Sequence, residues 1–289
     1  MEKDKLRILL QVLEDQSFSA TAQKLGYTPS GISRAITALE DTFGFPLLIR
    51  KANGVKPTAA CLALLPEIHE ILHHENLLFQ KAQEINGLSI GSIAIGTAYS
   101  RFCGPLQKRI QSFQQTYPGI TFHITSGFSN DLCDQLLAHT LDFILIGKRL
   151  GQWQWHPIKE SPMMAWVPAH FDLANQQTIP IQSFAQETCI EIYAGTDTNT
   201  NNKRILKQNH VQPNIQMHAT DSYTAFAMVE AGFGMVLNEE ENCVFQSPNV
   251  KILPVTPTQT IEIGIAYLDD LTPAAKCFLP VLKEMVDVL

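Results

Sequence analysis

The stretch from Ser17 to Glu40 constrains this chain more than any other. It reads as a short helix, a turn holding Gly26 and a second helix. Ser19 suits the N-cap of a helix over 20–25, whose small alanines allow another helix to approach closely. Gly26 can take the left-handed conformation that ends it. Thr28 then caps the second helix, and Pro29 stands at its first position, where a missing N–H costs nothing. That helix is expected to reach Phe43, with Ile32, Ile36 and Leu39 turned inward. Ser30, Ser33, Arg34 and Thr37 fall mostly on the other side. Two capped helices around one core, with a small, polar and basic free face, are how a helix-turn-helix prepares a helix for the major groove. Arg34 suits a guanine edge or a phosphate, and Thr28, Ser30, Ser33 and Thr37 suit bases or backbone. A face that only meets solvent is the alternative.

The flanking residues extend this head. Leu6, Leu9, Leu10 and Leu13 recur at helical spacing and predict a preceding helix. Residues 45–50 and 55–58 bracket Lys51-Ala52-Asn53-Gly54, and Asn-Gly is a strong hairpin signal. A basic β-wing is expected there, with Arg50, Lys51 and Lys56 at phosphate or in the minor groove; a plain surface hairpin is the alternative. The formal charge of the 289-residue chain is −7, which by itself argues against a nucleic-acid partner. Its distribution argues the other way: residues 1–60 hold eight Lys or Arg against six Asp or Glu, and the remainder 13 against 22. A mildly basic head on an acidic body can meet phosphates while the body stays soluble.

The residues now named carry a resemblance. Ser17-Phe18-Ser19, Ser33-Arg34, Ile36, Leu39-Glu40, Gly44, Pro46-Leu47 and Arg50 fall in the order and spacing of LysR-type transcriptional regulators. The likeness is dense in the head and loose beyond it. The chain departs from the family's usual residues at Thr21, Pro29, Leu48, Pro57-Thr58 and Cys61. The resemblance implies an α/β protein: an N-terminal winged helix-turn-helix (about 18–40 within 1–58), a long linker helix, and a two-lobed effector domain like periplasmic binding proteins. It also implies double-stranded promoter DNA, a small-molecule effector and further copies of itself, as homodimer or homotetramer, as partners. The transcription machinery is a further possible partner.

Residues 59–87 form the expected linker. Leu65, Leu72 and Phe79 stand seven apart, a coiled-coil-like seam interrupted by Glu75, with Pro66 near its start. The resemblance assigns this helix to dimerisation. It also contains His69-Glu70-Ile71-Leu72-His73, a formal HExxH, which raises a zinc hydrolase as an alternative. Such a site needs a third ligand and a cleft, and Leu72 also belongs to the packing seam, so a solvated histidine face is expected here; no catalytic residue, metal or other cofactor is expected.

From Ile90 short apolar runs alternate with helical patterns, the signature of open α/β sheets. Strands are expected at 90–95, 120–125, 141–146, 163–167, 189–193, 215–218, 234–237 and 261–267. Helices are expected at 105–117, 131–139, 200–209, 223–231 and 273–288. On the family's plan, lobe I takes 88–160 and 268–289, and lobe II takes 161–267. Ligands of such sheets sit beyond the strand carboxyl ends. Three loops meet that description: Thr97-Ala98-Tyr99-Ser100, Ser126-Gly127-Phe128-Ser129 and Gly195-Thr196-Asp197-Thr198. Thr97, Ser100, Phe128, Ser129 and Thr196 are therefore candidate contacts of a small anionic effector, unless their hydroxyls merely cap helices. Asp221 either caps the following helix or selects a cationic group. Trp153, Trp155 and Trp166 near the crossover are expected to pack.

Six cysteines, at 61, 103, 133, 189, 243 and 277, show no CxxC spacing and are expected as thiols. A redox-responsive regulator using Cys103 or Cys189 is an alternative, and a plain solute-binding module another. No stretch resembles a membrane span, and the charged segment 1–7 is unlike a signal peptide, so a cytoplasmic protein is expected.

Overall fold

Leucines spaced by three and four residues wind the start of the chain into α1 (Lys3–Asp15), which lies against α2 (Phe18–Leu25) and α3 (Pro29–Phe43). The computed structural model describes residues 3–51, 54–85, 90–193 and 196–285. Two units emerge, residues 1–79 and residues 80–289, each with its own core.

In the first unit Leu6, Leu9, Val12, Ala22, Ile32, Ile36 and Leu39 make one buried cluster. The cap of α2 is Ser17, not Ser19. Ser17 is extended and its hydroxyl accepts the N–H of Ala20 at 3.2 Å, while Ser19 lies inside the helix and is exposed. The earlier start follows from the tight end of α1, where Gln16 adopts φ 50° and turns the chain at once. Gly26 closes α2 at φ 71°, and Thr28 caps α3 by accepting the N–H of Gly31 at 3.1 Å.

The wing follows as β1 (Leu48–Lys51) paired antiparallel with β2 (Gly54–Pro57). Its first strand is shorter than expected, because the Glu40 carboxylate takes the N–H groups of Leu47 and Leu48 at 2.8 and 3.2 Å. Phe45 stacks on Phe43 instead of joining the ladder. Asn53 of the predicted turn lies outside the described residues. Gly54 holds φ +119°, and a Cβ there would meet the Gln16 carbonyl oxygen at 2.8 Å. The same carbonyl accepts the N–H of Val55 at 2.9 Å, so the wing docks on the α1–α2 turn. The linker is α4 (Ala59–Ile85), continuous through Pro66. Leu65 and Leu72 are half-buried in the core of this unit, whereas Leu78 and Phe79 are 70% and 56% exposed. Among the described residues no helix is long and apolar enough to cross a membrane.

The second unit alternates strands and helices. In chain order they are β3 (Gly91–Thr97), α5 (Cys103–Thr116), β4 (Ile120–Ser126), α6 (Ser129–Leu137), β5 (Phe143–Gly147), β6 (Gln154–Pro168), β7 (Ile179–Pro180) and α7 (Ser183–Gln186). Then follow β8 (Thr188–Ile192), α8 (Asp197–Gln208), β9 (Asn214–Ala219), α9 (Ser222–Glu230), β10 (Val236–Glu239), β11 (Val250–Thr256), β12 (Thr260–Tyr267) and α10 (Pro273–Lys283). The main sheet runs β4-β3-β5-β12-β6-β11-β7, with β10 also on β6, and β8 and β9 form a parallel pair. β3, β4 and β5 are parallel, and such strands are covered on both faces. β5 shows why its sequence is a continuous apolar run: Phe143 and Leu145 enter one core, Ile144 and Ile146 the core on the opposite face.

Two strands join the lobes. The first half of β6 pairs with β12, and its second half pairs with β10 and β11. β12 pairs with β5 as well, from Ile263 against Gly147 to Ala266 against Ile144. Residues 260–267, assigned to the second lobe on sequence, thus share the sheet of the first, because Ile263 and Ile265 fill the same core as Ile93 and Ile95. β7, α7 and β11 had no counterpart in the sequence reading, being short or lacking strict alternation.

Candidate functional sites: a polar helix face and an inter-lobe cleft

On α3 the predicted division holds residue by residue. Ile32, Ile36 and Leu39 are buried, Ser30, Arg34 and Thr37 are exposed, and Ser33 lies between. Thr28 is exposed at the helix start, its hydroxyl 3.1 Å from that of Ser30. Lys51 and Lys56 are exposed on the two wing strands. Arg50 does more than offer charge. Its guanidinium donates to Ser33 Oγ at 3.0 Å and lies over the Phe18 ring at 4.6 Å. One side chain from the wing therefore braces both helices of the motif, a task suited to a planar cation.

In the second unit the three predicted loops meet around one cavity of about 650 Å³. Thr97, Ser100, Phe128, Ser129, Thr196 and Asp221 all line it, joined by Tyr99, Asp131, Asp197, Thr198 and Tyr223 among others. Gly195 lies outside the described residues. Several of these groups are already engaged. Thr97 Oγ1 exchanges hydrogen bonds of 3.1 Å with the backbone of Tyr99. Thr196 caps α8 through the N–H of Asn199 at 3.0 Å. Asp221 caps α9 through the N–H of Thr224 at 2.8 Å, and that bond is the main cause holding its carboxyl below the usual range. Asp221 thus caps α9 and also lines the cavity. Ser100 and Phe128 are exposed to the cavity.

The feature missed on sequence is Asp197. Its Oδ2 accepts from Ser129 Oγ and from the Gly147 N–H, the latter at 2.9 Å, and its Oδ1 accepts from Arg149. Arg149 also donates to Asn130 Oδ1 at 2.7 Å. Burial works against the Arg149 charge, but Asp197 more than offsets it and keeps the guanidinium above its ordinary pKa. Behind this pair lie buried Glu239 and Glu241. Glu239 is pushed up by burial despite its bond from Thr198 at 2.7 Å, and Glu241 pairs with Lys159 at 2.7 Å.

Other candidates separate cleanly. Trp166 is fully buried against Phe226 and Phe245, and Trp155 donates to Glu262 Oε1 at 2.6 Å. Neither these nor Trp153 lines the cleft. Cys189 is buried, donates to the Phe184 carbonyl at 3.2 Å, and has its thiol pushed up to about 12 by burial.

Two family models match the chain: "Bacterial regulatory helix-turn-helix protein, lysR family" over residues 4–62 and "LysR substrate binding domain" over residues 86–287. The chain belongs to the LysR family of transcriptional regulators. It is a DNA-binding regulator with an effector-binding domain, and LysR-type proteins are transcription regulators, not enzymes. The HExxH of α4 is not the solvated histidine face expected of it, because His73 is buried. There Glu70 lies 3.7 Å from His74, one turn along. Among its relatives is the uncharacterized HTH-type regulator YybE of Bacillus subtilis (strain 168), 25% identical over 96% of this chain and 97% of that protein. The fold matches full-length CbnR complexed with target DNA at a TM-score of 0.70 and 18% identity, covering 99% of this chain and 100% of that one. It also matches the effector-binding domain of QuiR in complex with shikimate at 0.62 and 18%, covering 69% and 99%.

Proposed function

We propose that this LysR-type regulator lays α3 along the major groove of promoter DNA and adjusts its hold in response to a small acidic metabolite in the inter-lobe cleft. Thr28, Ser30, Ser33, Arg34 and Thr37 meet bases and backbone from the helix, and Arg50, Lys51 and Lys56 meet phosphates or the minor groove from the wing. Thr97, Ser100, Phe128, Ser129, Thr196 and Asp221 line the effector site. The reading divides the chain into a DNA-binding domain at 1–58, a linker at 59–87 and an effector domain at 88–289. The linker pairs copies of the chain, setting two heads on an inverted repeat, and the protein works in the cytoplasm beside its operator. QuiR, of similar fold, holds shikimate, which supports a small organic ligand here.

The observation that carries the reading is the free side of α3, where Arg34 and Thr37 stand exposed over a core of Ile32, Ile36 and Leu39. Its test is a gel shift with operator fragments selected from genomic DNA at low salt. Arg34→Ala should abolish specific complexes while the oligomer mass stays unchanged. Undiminished specific binding by that variant would show that α3 is not the reading helix.

A further inference from the structure

The cleft holds a carboxylate already, and it belongs to the chain. Asp197 stands at the first turn of α8, in the second lobe, and is nearly fully buried. Its three donors all come from the first lobe: Ser129 from the start of α6, the Gly147 N–H from the end of β5, and Arg149 just beyond. A serine hydroxyl, a backbone N–H and a guanidinium converging on one anion are the groups that recognise a carboxylate. Gly147 gives the carboxylate room, since a Cβ there would lie 3.3 Å from Asp197 Oδ2, tighter than an ordinary contact.

Beside the same point sits a donor that Asp197 leaves idle. Tyr99 is 1% exposed, yet among the described residues its hydroxyl has no hydrogen-bond partner. That hydroxyl would lie 3.1 Å from the same Cβ on Gly147. A buried, unsatisfied hydroxyl is costly and awaits an acceptor. The short Asp197 side chain, tethered to α8, engages three donors. A free carboxylate ligand is not tethered and can add the fourth.

We propose that Asp197 is a resident ligand of the cleft: it fills a carboxylate subsite formed by Ser129, Gly147 and Arg149, ties the two lobes together, and competes with an acidic effector for those donors. The proposal rests on the reading of the cleft as an effector site and supplies its chemistry. An acid that binds here displaces Asp197, takes up the Tyr99 hydroxyl, and releases the tie between the lobes. Loss of Asp197 without a replacement leaves Ser129 Oγ and the Gly147 N–H buried without their acceptor, so the subsite calls for an anion whenever Asp197 is out.

The test uses full-length wild-type, Asp197→Ala and Asp197→Asn proteins, with acetate as the probe and chloride at matched ionic strength as control. The D197A protein should melt below wild type in chloride and recover in acetate, and wild type should not respond. By isothermal titration D197A should bind acetate on the order of a hundredfold more tightly than wild type, because an occupied subsite is only rarely competent. D197N, which keeps the side-chain volume, decides the question by the same titration if D197A does not fold. Adding Ser129→Ala to D197A should erase the gain. Equal acetate binding by wild type and the Asp197 variants, or a gain that survives S129A, overturns the proposal. Failure of the sensing reading looks different: the acetate gain appears, but operator complexes respond to no organic acid. A metabolite response without any acetate gain removes the resident carboxylate and leaves sensing intact.

Discussion

Arg50 shows how much a single side chain can carry. Its charge was readable as a phosphate contact, but its hydrogen bond to Ser33 and its place over Phe18 make it a brace as well. Lysine keeps the charge and loses the planar fork. Arg50→Lys should therefore recover only part of the operator affinity lost in Arg50→Ala, measured by fluorescence anisotropy; full recovery would reduce Arg50 to a point charge. Asp142 offers a separate test. Its Oδ2 accepts the Ala94 N–H at 2.8 Å, and burial raises its carboxyl from 3.8 to about 6. The folded state then holds the proton harder than the unfolded chain, so the stabilisation is whole below about pH 4 and lost as pH rises through 6. Relative to Asp142→Asn, wild type should lose about 2 kcal/mol between pH 4 and pH 7 in urea unfolding, allowing for partial water access. A difference that does not change with pH would place the Asp142 carboxyl in ordinary solvent.

At the scale of elements, the helix-turn-helix was legible because its signals are local. Gly26, Thr28 and Pro29 act within one turn of where they stand, and each adopts the role its chemistry suggests. Ser17 caps in place of Ser19 because the end of α1, two residues earlier, decided where the next helix could begin. The wing depends on Gly54 for a reason its own hairpin does not contain: the close approach of the Gln16 carbonyl. Gly54→Ala should destabilise the first unit by roughly 1–3 kcal/mol, since both the backbone conformation and the contact forbid a Cβ. A melt of the full-length protein that resolves no change would show that the α1–α2 turn yields. β6 was read only in its second half, because the first half pairs along β12 with a less regular apolar pattern.

At the scale of the whole molecule, the chain separates a mildly basic reading head from an acidic sensing body, and charge asymmetry of this kind governs encounters more than folding. The linker leaves Leu78 and Phe79 largely exposed. Large apolar side chains this exposed on one helix call for a partner surface. The double variant Leu78→Glu, Phe79→Glu should lower the mass seen in analytical ultracentrifugation and weaken operator binding with it. An unchanged mass would move the subunit contact away from this part of α4.

The amino-acid order alone determined the helices of the head, the alternation of the body and the three loops that line the cleft. Each rests on interactions between residues close in the chain, or on periodicity that any folded context must respect. Tertiary structure decided what those loops do. Asp197 stands in a loop singled out on sequence, yet its partners Ser129, Gly147 and Arg149 lie 48 to 68 residues earlier. No spacing rule links them. A charge pair across a cleft exists only once two sheets have packed and brought their strand ends face to face, and until then an aspartate at a helix start is merely a favourable neighbour of the helix dipole.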